Sequence, residues 1–144
     1  ANHLAKWNNI EQRWHHVASQ RGDQLINKSV YDIMRFNGTI WIAGAFDNGF
    51  KYVASQNGNT WKQVGVGTNA INGPVYELYS YAGSAYAGGA FAGSLSLPYN
   101  NIASWTGSAW APLGKGLSST AGSAQVNKIL ATHSIHLDAG SRLP

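Results

Sequence analysis

The feature that most constrains this chain is a hairpin it repeats. "VYDIMRFNGTIWIAGAF" (30–46) and "VYELYSYAGSAYAGGAF" (75–91) superpose without a gap at an offset of 45 residues, Val30 onto Val75. In each, apolar and polar residues alternate around a two-residue turn, Asn37-Gly38 or Ala82-Gly83, and the return half ends Gly-Ala-Phe. Alternation with period two lines one face of a strand, and Gly tolerates the positive φ that a tight hairpin demands. A third copy, "VNKILATHSIHLDAGSR" (126–142), follows at an offset of 51, Val75 onto Val126. It keeps Val126, Ile129 and Gly140 but has Arg142 where Phe46 and Phe91 stand.

A second hairpin alternates with the first: "HLAKWNNIEQRWHHV" (3–17), "YVASQNGNTWKQV" (52–64) and "IASWTGSAWAPL" (102–113). An apolar residue and Ala lead one strand, a polar turn follows, and Trp14, Trp61 or Trp110 opens the return strand. Each repeat is therefore four short antiparallel strands. The 17 Gly, six Trp and seven Tyr among 144 residues suit such strands, and few Leu, Glu or Lys recur at helical spacing. The fold class is all-β. A lone four-stranded sheet cannot bury both faces, whereas sheets stacked as the blades of a β-propeller can. The repeated indoles, Trp14, Trp61 and Trp110, are then expected as wedges between blades. Gly44 and Gly89, with Gly88, are expected where small residues let the inner strands converge.

The run "NNIASWTGSAWAPLGKGL" (100–117) together with "VYELYSYAGSAYAGGAF" resembles the kelch-like propeller repeats of bacterial and fungal surface proteins, the grouping around the central domain of galactose oxidase. That resemblance implies a propeller fold and an extracellular or cell-surface setting. The copper chemistry of galactose oxidase uses a cysteine-linked tyrosine, and this chain has no cysteine, so that activity is not implied.

The repeat is out of phase with the chain. It opens with a Trp hairpin (3–17), which fills strands 3 and 4 of a blade, and continues through two whole blades (30–64 and 75–113). It closes with strands 1 and 2 of another (126–142). Two halves and two wholes make three blade equivalents, too few to close a ring. Two chains supply six, so a homodimer whose split blades pair across the chains is expected.

No chemistry-bearing motif emerges. Ten basic residues, spread from Lys6 to Arg142, give a formal charge of +4 without the stripe a nucleic-acid surface needs. No apolar run reaches the length of a membrane span. Adjacent residues on a strand face opposite ways, so His15 and His16 cannot share a metal, and His133 and His136 have opposite parity; no metal or cofactor is expected. Asp32, Glu77 and Lys128 hold one repeat position near the mouth of a central channel. They read first as a ladder of ion pairs and hydrogen bonds between blades, and second as a polar ligand site or the carboxylates of a hydrolase or lyase. Long connections gather on one propeller face, where Arg21, Asp23, Asn69, Asn72 and Tyr99 are expected to be exposed and available for binding. The expected function is a non-enzymatic module that recognises a glycan or a protein through that face. The alternative is a self-assembling structural fragment without a ligand.

Overall fold

The computed structural model describes residues 3–17, 26–93, 98–121, 123–131 and 137–139, with the backbone course alone at His16 and 137–139. It is all-β. The strands are β1 (Ala5–Asn8), β2 (Arg13–His16), β3 (Val30–Phe36), β4 (Thr39–Gly44), β5 (Val53–Asn57), β6 (Thr60–Gln63), β7 (Val75–Tyr81), β8 (Ser84–Gly89), β9 (Ile102–Trp105), β10 (Trp110–Pro112), β11 (Ile129–Ala131) and β12 (Leu137–Ala139). Among the described residues a single 3-10 turn, Gly67–Asn69, interrupts them. β3-β4-β5-β6 and β7-β8-β9-β10 form two antiparallel meanders of four strands, and β1-β2 and β11-β12 form two hairpins, each a separate sheet.

The repeat is reproduced residue by residue in the ladders. Ile33 pairs with Ile42 as Leu78 pairs with Ala87, and each first strand carries a bulge at the same place, between Val30 and Asp32 or between Val75 and Glu77. Asn37-Gly38 and Ala82-Gly83 all take positive φ, the requirement of a two-residue hairpin whose twist matches its strands. The turn between β5 and β6 is Gly58-Asn59.

Three apolar cores lie between successive sheets. Trp61, Ile42, Phe46 and Ala54 pack with Leu4 and Val17 of the N-terminal hairpin. Trp41, Val53 and Val64 of the first meander meet Leu78, Ala87 and Trp110 of the second. Ile129 and Val126 meet Ile102, Tyr79 and Tyr86. Sheets thus stack face to face in chain order, each after the first burying one face against the sheet before it.

Two expectations need correction. A Cβ on Gly44 or Gly89 would meet the carbonyl oxygen of Ser29 or Pro74, only 2.1 Å away in both cases. Those carbonyls accept from Ala45 and Ala90 N–H at 2.9 Å, so Gly44 and Gly89 close their own hairpins rather than let neighbouring sheets converge. Two other glycines admit a neighbouring sheet: a Cβ on Gly88 would stand 2.4 Å from Val126 Cγ1, and one on Gly65 would stand 2.5 Å from Trp110 Cδ1. The C-terminal hairpin also slips by one residue. Ile129 pairs with Ala139, not with Asp138 as the gapless alignment requires, so one more residue separates the paired positions than in β7 and β8. Shifted accordingly, the sequence position matching Phe46 and Phe91 is Leu143 rather than Arg142.

Candidate functional site

The bulges in β3 and β7 re-aim the side chains that follow them. Past the first, the Asp32 carboxylate accepts from its own neighbour Ile33 N–H at 2.8 Å and reaches into the next sheet to accept from Leu78 N–H at 2.7 Å. Past the second, the nearly buried Glu77 accepts from Lys128 Nζ at 2.9 Å. The hydrogen bond and charge of Glu77 raise the Lys128 ammonium above its ordinary value. One position earlier the Tyr31 and Tyr76 rings meet at a tilt of 59° with centroids 5.3 Å apart, and Tyr79 Oη accepts from Ala131 N–H at 3.4 Å. The three residues Asp32, Glu77 and Lys128 are thus brought into one ladder that ties first strand to first strand. Each carboxylate binds one group beyond its own sheet, Asp32 through Oδ2 and Glu77 through Oε1.

The residues expected on the long connections divide differently. Arg21 and Asp23 lie outside the described residues. Tyr99, expected to be exposed, is fully buried. Its hydroxyl donates to the carbonyl oxygens of Asn69 at 3.0 Å and Trp110 at 3.3 Å, and burial pushes its phenol above the ordinary value. The Asn72 side chain is exposed but occupied, accepting from Ala92 and Gly93 N–H at 3.1 and 3.0 Å while donating to Gly93 carbonyl oxygen at 3.0 Å. The sequence reading missed its counterpart, Asn27, which accepts from Asp47 and Asn48 N–H and donates to Asp47 Oδ1 at 3.0 Å. The signal was present: "IN" precedes "VY" by the same spacing at 26–31 and 71–76. Lys28 completes that clamp with Asp47 at 2.6 Å, an exposed pair that lowers the Asp47 carboxyl and raises the Lys28 ammonium.

The three tryptophans occupy one repeat position in three states. Trp110 is 1% exposed, with Nε1 donating to Val64 carbonyl oxygen at 3.0 Å; Trp61 is 8% exposed; Trp14 is 67% exposed. Nε1 of Trp61 has no hydrogen-bond partner among the described residues. Around Trp41 the Trp105 and Trp110 rings pack edge-on at 5.7 and 6.2 Å. Beside them a cleft of about 440 Å³ opens among the tight turns, lined by Asn37, Trp41, Asn57, Lys62, Trp105 and Ser108.

Near the N-terminus Glu11 Oε2 holds Arg13 at 2.6 Å and His15 Nε2 at 3.0 Å, an exposed surface network. Among the described residues no three His, Cys, Asp or Glu side chains gather as a metal site. His133 and His136 lie outside them, and the His16 side chain is not described. No described helix is long and apolar enough to cross a membrane. No protein-family model, curated protein or solved structure matches this chain.

Proposed function

We propose that the chain is a self-assembling β-propeller module, non-enzymatic, in which each four-stranded sheet is a blade and a second copy supplies the faces one copy lacks. The observation that supports this is a graded burial at one repeat position. Leu78 and Ile129 are 4% and 1% exposed against the sheet before each of them, while Ile33, which follows only the β1-β2 hairpin, is 56% exposed. Met34 packs on the core that holds Leu78, and Tyr79 on the core that holds Ile129. The next residue of that series, Leu130, is 45% exposed. In a six-bladed ring of two chains, Leu130 of one copy covers Ile33 of the other, and the outward Trp14 gains the neighbour that Trp61 and Trp110 already have. The test is absolute mass in solution by light scattering. The expected value is twice the chain's 15.4 kDa, and Ile33→Asp should halve it while Ile10→Asp leaves it unchanged. A monomeric wild type with a cooperative unfolding transition would sink the ring.

A second reading, recognition of a glycan, is favoured by the cleft beside Trp105 rather than by the long connections. An indole face with Asn, Ser and Lys groups at its rim suits a sugar ring, which offers one apolar side and many hydroxyls. Titration with a panel of oligosaccharides should give a saturable change in indole emission that Trp105→Phe abolishes. A flat titration across the panel removes this reading.

A further inference from the structure

We infer that β12 of one chain pairs antiparallel with β1 of a second copy, in the register Ala139 opposite Ala5, Asp138 opposite Lys6 and Leu137 opposite Trp7. This rests on the ring proposed above and adds to it which backbone groups and charges make the seam.

The two complete sheets dictate the register. In them the second strand pairs with the third through Ile42 opposite Ala54 and Ala87 opposite Ala103. β12 holds the second-strand place, because Ile129 opposite Ala139 repeats Ile33 opposite Ile42 and Leu78 opposite Ala87. β1 holds the third-strand place. Trp7 opposite Trp14 repeats Gln56 opposite Trp61 and Trp105 opposite Trp110, and Val17 N–H donates to Leu4 carbonyl oxygen at 3.1 Å as Val64 N–H donates to Val53 at 3.0 Å. Ala5 therefore corresponds to Ala54 and Ala103. Those two are fully buried within four-stranded sheets, whereas Ala5 is exposed on a strand with no partner on its second edge among the described residues.

The charges favour a second copy as the occupant. No pair between second and third strands in either complete sheet carries a charge; the position in question is Trp41 opposite Ser55 in one and Tyr86 opposite Ser104 in the other. At the seam the same position sets Asp138 against Lys6, an acidic residue on one free edge matched to a basic residue on the other. Opposite charges directly across a ladder attract and like charges repel. Within one chain, two four-stranded sheets stand between the hairpins in the stacking order, so the matching edge comes from another copy, and two-fold symmetry makes the seam twice.

The experiment exchanges the charges. Lys6→Asp and Asp138→Lys, each alone, place like charges at both seams and should weaken self-association at least about tenfold. An equimolar mixture of the two variants restores opposite charges at both seams and should recover a heterodimer with the wild-type mass. The native chain has no cysteine, so an Ala5→Cys/Ala139→Cys variant provides a second readout that needs no charge change: mild oxidation should yield a covalent dimer. A wild-type dimer that ignores both single reversals and does not crosslink overturns the seam and leaves the ring standing. A wild-type monomer overturns both.

Discussion

Ala82 holds a left-handed backbone at φ 50°, where the matching turn places Asn37 at φ 47°. A side chain with a Cβ pays roughly 1–2 kcal/mol in that region, and Asn offsets part of it by bonding locally. Ala82→Asn should therefore raise the free energy of unfolding by about 0.5–1 kcal/mol, read from the urea midpoint at unchanged slope. Tyr99 makes a different prediction. Burial raises its phenol above about 10, so below that pH the hydroxyl is protonated folded or unfolded. Above it the unfolded chain loses the proton first, and stability falls as pH climbs toward the folded value. Lys128, raised by Glu77, declines in the same window as its ammonium deprotonates and the pair is lost. Tyr99→Phe should cost about 1 kcal/mol at neutral pH by removing the one hydroxyl proton that the Asn69 and Trp110 carbonyls share, and should flatten the decline above pH 10. A decline of unchanged steepness would exclude the phenol as its source.

Among the elements, the inter-sheet contacts are set by very few side chains. Gly88 lets β11 approach β8, and a methyl there would stand 2.4 Å from Val126 Cγ1 and 3.3 Å from Ile129 Cδ1. Gly88→Ala should destabilise by about 1–3 kcal/mol through overpacking. Val126→Ala removes the clashing methyls, so the double variant should cost less than the sum of the singles, a coupling that a double-mutant cycle measures. Strict additivity would show that Val126 is not what Gly88 accommodates. Asn27 and Asn72 act at the same scale, each tying the residues after a second strand to the run that leads into the first.

For the whole molecule, three of the exposed apolar residues mark the ends of the stack. Trp14 and Ile33 lie toward one end of the stack, and their repeat counterparts inside it are buried; Leu130 lies at the other, and its counterparts Met34 and Tyr79 are partly buried. A chain whose core is completed only by a second copy has stability tied to its own concentration. The thermal midpoint should rise with protein concentration over two decades for the wild type. For Ile33→Asp it should be lower and independent of concentration. A wild-type midpoint constant across that range would show that the end faces remain wet.

Much of the fold was legible in the chain because the repeat is written in local terms. Period-two alternation and turn-forming residues specify strands and hairpins without reference to distant partners, and copies at a constant offset specify how hairpins join into sheets. Trp110 and Trp61 could be assigned to the spaces between sheets for the same reason. Other features depend on what approaches from elsewhere. Tyr99 belongs to a connection by sequence, yet it is buried because the Asn69 and Trp110 carbonyls converge on its hydroxyl. Gly44 and Gly89 look like packing glycines, yet their missing Cβ clears a carbonyl of the same hairpin. The ladder from Asp32 to Leu78 and from Glu77 to Lys128 spans sheets, and its partners follow from the bulges and from how the sheets stack. The pairing of Ile129 with Ala139, rather than with Asp138, is a matter of register. Composition and periodicity do not encode a one-residue shift in pairing; the hydrogen-bonded ladder does.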